Sequence, residues 1–258
     1  MILDDFGLDA FSLEGRSAVV TGGTTGLGKA MSVALARAGA DVLVAALTPD
    51  DGSTQRRVEE SGRRWRSIET DVTAPGEPER IVEECRAAFG SVDILVNSAG
   101  TCLVADVEDF GREQWDPMVA VNLTAAFDLS RAAAAVMLES GHGKIINVAS
   151  LFSFLGGLGS PAYAATKAGI AGFTRAYCDE LGHRNIQVNA IAPGYMATAL
   201  TARARADEEA SRRIVEHIPA GRWGDPADLM GAVVFLASRA SDYVNGHLLV
   251  VDGGYLVR

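Results

Sequence analysis

Short apolar runs alternate along this chain with longer amphipathic stretches. The runs AVV, VLV, DILV, IINV and VNAIA show no polar–apolar alternation, which a strand with one wet face would need. Such runs mark strands buried on both faces of a parallel sheet. They predict strands over Ser17–Thr21, Val42–Ala46, Trp65–Glu69, Ile94–Val96, Lys144–Val148, Gln187–Ile191 and Leu248–Val251. Between them, helical stretches are predicted over Leu27–Ala38, Pro78–Phe89, Met118–Glu139, Ala162–Leu181 and Pro226–Ala237. This βαβα alternation predicts an α/β fold: a doubly wound parallel sheet of about seven strands with helices on both faces, in three α/β/α layers. No linker, low-complexity tract or internal repeat interrupts it, so residues 1–258 are expected to form a single domain. Only Tyr195–His217, with its run TARARADEEASRR, breaks the rhythm. It lies beyond the end of a strand, where loops of such folds cover ligands.

Charge narrows the partners. The net charge of −10 argues against nucleic acid and against an anionic membrane surface. No apolar run approaches the length of a membrane span, and MILDDFGLDAF lacks the basic start of a signal peptide. Cys85, Cys102 and Cys178 are odd in number and widely spaced, which reads as small buried hydrophobes in a reducing compartment. His142, His183, His217 and His247 show no metal spacing, so no metal site is expected and they are read as surface or packing residues. The expected setting is the cytoplasm.

Chemistry concentrates in SLFSFLGGLGSPAYAATK, residues 150–167. Tyr163 and Lys167 are four apart, so on a helix they project side by side. A fixed ammonium favours the phenolate and should lower a tyrosine pKa from its usual value near 10. With the Ser150 hydroxyl arriving from the preceding strand, the pair could move a proton on and off an alcohol. Upstream, the first strand runs into TGGTTGLGKA. Gly22, Gly26 and Gly28 permit a tight turn whose N–H groups approach a pyrophosphate at a helix N-terminus.

In order along the chain stand TGGTTGLG, Asp71, NSAG (97–100), Asn122, Ser150, Tyr163, Lys167, Pro193–Gly194 and Thr198. With these landmarks the chain resembles a short-chain dehydrogenase/reductase of the single-domain type, nearly end to end, which implies a Rossmann-type sheet. The opening MIL, IAPGYMAT, IPAGRWG and FLASRASDYVNG further resemble the 2-deoxy-D-gluconate 3-dehydrogenase and gluconate 5-dehydrogenase branch. The resemblance implies that Tyr163 is the acid/base, that Ser150 orients the oxygen, and that Lys167 tunes the phenol and grips a ribose. Asn122 would hold a water linking Lys167 to solvent. Thr24, Thr25 and Leu27 would join the three glycines around the cofactor, with Ala46 and Leu47 at its adenosine ribose. Asp71, beside Val72, would bind the adenine amino group, although an acid after a strand could equally be a cap. Asn97, Ala99 and Gly100 would line the ribose and pyrophosphate. Pro193, Gly194, Met196 and Thr198 would attend the nicotinamide, Thr198 through its carboxamide. Substrate would meet Ser150, Phe152, Leu155, Tyr163 and Tyr195, and a sugar-acid carboxylate would find Arg203 or Arg205. Two departures stand out: Ser98 where the family more often has Asn, and Leu155 where the branch carries a polar residue.

No cation occupies the glycine turn or the end of the second strand to pair a 2′-phosphate. NAD is therefore favoured over NADP, although the acid that would bind a 2′-hydroxyl is also missing, the nearest being Asp50 and Asp51. The implied activity is hydride transfer between a nicotinamide cofactor and a secondary alcohol or ketone, a sugar acid above all, by a homotetramer. The alternatives are an NADPH-dependent 3-oxoacyl or other ketone reductase and, from another class, a non-catalytic dinucleotide-binding regulator.

Overall fold

The computed structural model describes residues 7–258; the opening MIL lies outside the described residues. Seven strands form one parallel sheet: β1 (Ser17–Thr21), β2 (Asp41–Ala46), β3 (Trp65–Glu69), β4 (Ile94–Asn97), β5 (Gly143–Val148), β6 (Ile186–Pro193) and β7 (Leu248–Val251), in spatial order β3-β2-β1-β4-β5-β6-β7. The apolar runs fill both layers because successive side chains point to opposite faces. Ala18 and Val20 enter the core on one face of β1, and Val19 enters the core on the other. The first core packs under α1 (Gly26–Arg37) and, further along the chain, α9 (Met230–Ala237). The second packs under α3 (Glu77–Phe89) and α5 (Ala125–Ser140), flanked by α6 (Pro161–Leu181). At the sheet edge β3 departs from the buried pattern: of its residues only Ile68 is buried, while Arg66, Ser67 and Glu69 face water. Charged side chains on an edge strand discourage pairing with another chain.

Four expectations change. A short helix, α2 (Ser53–Glu59), follows β2 where none is predicted. The predicted helix over 118–139 begins earlier, because α4 (Arg112–Val119) runs through a π-helical turn (Ala120–Thr124) into α5. The merged helix, Arg112–Ser140, is long and apolar enough to cross a membrane by length and composition alone. In the fold it packs against α3 and α6. The excursion after β6 forms two helices, α7 (Ala202–Ala206) and α8 (Glu208–His217). Finally, the predicted helix over 226–237 opens as a 3-10 turn, Pro226–Leu229, before α9.

Candidate active site

Strand order reverses between β1 and β4, and the chain segments leaving their carboxyl ends part to form a cleft, the place where open α/β sheets bind ligands. Thr21 Oγ1 ties the two exits together by accepting the N–H groups of Ser98 and Ala99, each at 3.0 Å. The glycine turn is then constrained from both sides. Gly22 has φ +65°, and a Cβ there would lie 3.1 Å from Ala99 Cα. A Cβ on Gly28 would strike the Gly22 carbonyl oxygen. Thr25, which precedes α1, caps none of its N–H groups. Those donors face a cleft lined by Gly22, Thr25, Gly26, Leu27, Gly28, Ser98, Ala99, Gly100, Val148, Tyr163, Lys167 and Thr198–Leu200. N–H groups without a side-chain cap, beside glycines that leave room for close approach, fit the pyrophosphate of a dinucleotide.

At the other end of the cleft stand the residues of the 150–167 segment. Ser150 leaves β5 and caps the turn that follows, its Oγ accepting the Phe152 N–H at 3.2 Å. Pro161 opens α6, which puts Tyr163 in its first turn and Lys167 one turn later on the same face. Lys167 is 4% exposed, donates from Nζ to the Val148 carbonyl at 2.7 Å, and lies 5.6 Å from the Tyr163 ring centroid. The Phe152 ring meets Tyr163 edge-on, centroids 5.8 Å apart.

The electrostatics differ from the spacing argument. Burial pushes the Tyr163 phenol up to about 12, with the Ser150 hydroxyl pulling the other way. Burial pushes the Lys167 ammonium down to about 8. Desolvation penalises both charged forms, and in the protein alone it outweighs the expected help of lysine to phenolate.

Several expected residues stand elsewhere. Asn97 turns its amide away from the cleft, Nδ2 donating to Ser130 Oγ (2.9 Å) and Asn147 Oδ1 (2.8 Å), while Oδ1 is buried without a partner. Thr24 is buried and donates to the Thr48 carbonyl, fastening the glycine turn to the loop after β2. The Asn122 side chain exchanges two 2.8 Å hydrogen bonds with the Thr101 backbone, so its polar atoms are committed there, inside the π turn. Asp71 accepts the N–H and hydroxyl of Thr73, a local cap, and Val72 beside it is buried. At the end of β2, Ala46 is buried and Leu47 is 71% exposed, and neither lines the cleft.

Pro193 ends β6, and a Cβ on Gly194 would lie 2.6 Å from Asp252 Cα, so this glycine serves a close approach to the exit of β7. Met196 pairs with Gly224 in an isolated bridge. Thr198 does line the cleft. Tyr195 instead packs against Trp223 and Tyr255. Leu155 is exposed, and neither it nor Phe152 lines the cleft. Arg203 and Arg205 are also exposed and outside the cleft, Arg205 donating to the Thr198 carbonyl at 3.0 Å. A carboxylate cation is therefore not in place in this arrangement.

Other groups went unnoticed in the sequence. Ser153 Oγ donates to the Lys167 carbonyl at 2.7 Å and accepts the Ser150 N–H at 3.3 Å. The S-x-x-S spacing of a capping box was its signal. Lys29 reaches Ser53 and lies 3.9 Å from Asp51, so a cation does stand beside the loop after β2. Among the described residues, no three His, Cys, Asp or Glu side chains gather as a metal site.

A family model described as enoyl-(acyl carrier protein) reductase matches residues 22–256. The chain is 57% identical over 256 residues to an uncharacterized oxidoreductase of Escherichia coli (strain K12), covering 99% of this chain and 98% of the relative. It is 49% identical over 252 residues to a 2-dehydro-3-deoxy-D-gluconate 5-dehydrogenase of Bacillus subtilis (strain 168), covering 97% and 98%. Among solved structures, it is similar to a gluconate 5-dehydrogenase from Burkholderia cenocepacia J2315 in complex with NADP and tartrate. That match has a TM-score of 0.92 at 37% identity, over 97% of this chain and 99% of that one.

Proposed function

This chain belongs to the short-chain dehydrogenase/reductase family of nicotinamide-dependent oxidoreductases acting on CH–OH groups, and on that premise we propose that it interconverts a secondary alcohol and a ketone on a sugar acid related to gluconate. The observation that carries this reading is the placing of Tyr163 and Lys167 at one end of a cleft whose other end is a glycine cradle, with the Ser150 hydroxyl against the phenol. Relatives named for gluconate and deoxygluconate chemistry, similar over nearly their whole length, support the substrate class.

The nicotinamide, when bound, supplies the hydride acceptor or donor. In oxidation Tyr163 would act as the phenolate, its Oη taking the carbinol proton as the hydride leaves carbon. In reduction the neutral phenol would give that proton to the carbonyl oxygen. The phenolate, disfavoured by burial in the protein alone, must therefore be favoured once the cleft is filled. Ser150 Oγ orients the substrate oxygen. Lys167 would stabilise charge that develops on Tyr163 and would be the residue to hold a nicotinamide ribose. The whole chain acts as one domain, with residues 195–217 covering the substrate.

For the cofactor we retain NAD over NADP by a shallow margin. Leu47 offers a 2′-phosphate no partner, and Lys29 beside that loop is offset by Asp51; the NADP bound to the Burkholderia neighbour argues that the margin is small. A cytoplasmic homotetramer is the proposed assembly. Its contacts would use the outer faces of α5 and α6, where half-exposed Phe127 lies tilted against Tyr177 at 6.1 Å and Tyr177 meets Phe173 edge-on at 5.5 Å. Light scattering at micromolar concentration should give the tetramer mass; a stable monomer would remove this part of the reading.

The main test follows nicotinamide reduction with gluconate, its deoxy analogues and neutral polyols, and oxidation of the reduced nicotinamide with the keto analogues and 3-oxoacyl substrates, each with the NAD and the NADP form. Turnover of a sugar acid at least about tenfold more efficient than of any neutral polyol is expected. The same efficiency on polyols or on 3-oxoacyl substrates would replace the sugar-acid assignment.

A further inference from the structure

The excursion after β6 is fastened at its base and again by the last residues of the chain, and Tyr255 touches both ends of it. At the base, Met196 pairs with Gly224, the Ala197 N–H donates to the Gly224 carbonyl at 2.7 Å, and the Gly224 N–H donates to the Tyr195 carbonyl at 2.9 Å. Tyr195 and Trp223, one at each foot, meet edge-on at 5.7 Å. Between these feet the chain leaves the cleft wall at Thr198–Leu200 and forms α7 and α8.

Neither helix contains a buried residue. α8 lays only half-buried residues, Ile214 and Val215 among them, against the protein, so its packing is thin and its other contacts matter for its place. Trp223 Nε1 donates to Ser211 Oγ at 3.0 Å. The remaining holds come from the last residues of the chain. The Tyr255 ring lies 4.3 Å from His217 and 5.1 Å from Tyr195, and Arg258 Nη1 donates to the Glu216 carbonyl at 3.1 Å.

That C-terminal turn is itself braced. Asp252 accepts the Gly254 N–H at 2.7 Å and the Leu256 N–H at 2.9 Å. Gly253 and Gly254 have φ +65° and +91°, and a Cβ on either would lie 2.9 Å from Ile218 or Pro219, the residues that follow α8. The turn also springs from the end of β7, against which Gly194 closes.

We propose that Tyr255 is a positioning residue: the C-terminal turn, through its ring and Arg258, sets where α8 stands and, through the excursion, where Thr198–Leu200 wall the cleft, and thereby sets substrate affinity. Tyr255 touches neither the cleft nor Tyr163, so its influence runs through the Tyr195 ring and the carboxyl end of α8. The kinetic half of this proposal rests on the sugar-acid reading above; the conformational half does not.

Trypsin tests the conformational half. Arg203, Arg205, Arg212 and Arg213 all lie within the excursion and are exposed. In the full-length enzyme, Tyr255→Ala should speed cleavage at these arginines by about five- to tenfold, the scale of losing one aromatic pair and its burial. Tyr255→Phe, which keeps the ring, should cleave at the wild-type rate. With the sugar acid found in the assay, Tyr255→Ala should raise KM by a similar factor with kcat and cofactor Kd unchanged, and Tyr255→Phe should restore KM. If cleavage rises everywhere along the chain, Tyr255 merely stabilises the fold and the proposal fails. Unchanged cleavage at the four arginines also overturns it. Faster local cleavage with unchanged KM removes the link to substrate while leaving the clamp. If no sugar acid is turned over, the sugar-acid reading fails and the cleavage result still decides the clamp.

Discussion

The two ends of the sheet both bury charged and polar side chains, but they satisfy them differently. At the amino ends of β1, β4 and β5, Asp93 is 5% exposed and fully engaged. It accepts from Arg16 Nη1 (3.0 Å), the Ser17 N–H (2.8 Å) and hydroxyl (3.1 Å), and Ser91 Oγ (2.6 Å), and pairs with His142 Nε2 (2.5 Å). Burial pushes its carboxyl pKa up, but these partners outweigh burial and hold it below the usual 3.8. At the carboxyl ends, Lys167 has one acceptor, the Val148 carbonyl, and Tyr163 has the neighbouring Ser150 hydroxyl. Burial dominates there, and both groups are driven toward their neutral forms. A polar cluster that completes its own bonding serves stability, whereas one left short retains capacity for ligand and for proton transfer.

Substitutions at the two ends should therefore separate activity from stability. The largest effect is expected for Tyr163→Phe. Removing the proton carrier should cut kcat by roughly two to four powers of ten, with Tm and cofactor affinity unchanged; a variant retaining a sizeable fraction of the wild-type rate would dismiss Tyr163 as the acid/base. Next, Asp93→Ala should destabilise the fold by about 1–3 kcal/mol, because it takes the carboxylate acceptor from the buried Ser17 N–H and hydroxyl, while kcat per folded molecule stays at wild type. Denaturant melts paired with active-site titration would measure both, and a kcat loss without a stability loss would erase the distinction between the ends.

The smallest effect concerns pH. Lys167 is lowered from 10.5 to about 8, so between those values the unfolded chain binds more protons than the folded one. Stability from this group must rise with pH across that window. The Tm of the protein without cofactor, taken relative to Lys167→Met, should climb from pH 8 to pH 10; a flat difference would mean that Lys167 is not desolvated. Asp93 works on the opposite side of neutrality. Its contribution is present above 3.8 and is lost as pH falls through its lower folded value.

The sheet was legible in the sequence because parallel strands buried on both faces read as unbroken apolar runs, and each predicted strand is present with ends within two residues. What escaped was set by tertiary context. No periodicity marks Ser53–Glu59, a helix started by Asp50 and Asp51 carboxylates accepting its first N–H groups. The Tyr163–Lys167 adjacency followed from helical spacing, but the sign of the phenol shift did not, because desolvation depends on what the fold packs around a side chain. Asn97 shows the same limit. Strand alternation decides which side of β4 it faces, and a turn motif read as a string of letters does not reveal that its amide serves Ser130 and Asn147.

The strand order also bears on how the molecule assembles in time. The β1–β4 junction that forms the cleft pairs Ala18 with Ile94 and Val20 with Val96, whereas β1, β2 and β3 are joined by shorter loops. During synthesis the β1–β2–β3 unit emerges with one edge of β1 unpaired until β4 leaves the ribosome. Long-range parallel pairing is slow, because the loop must close before its contacts repay the entropy. A dinucleotide held by the residues that line that cleft would favour the joined form by mass action. Cofactor present during refolding should thus raise the yield of native enzyme most when the junction forms slowly, which makes the nicotinamide nucleotide a folding ligand as well as a reactant.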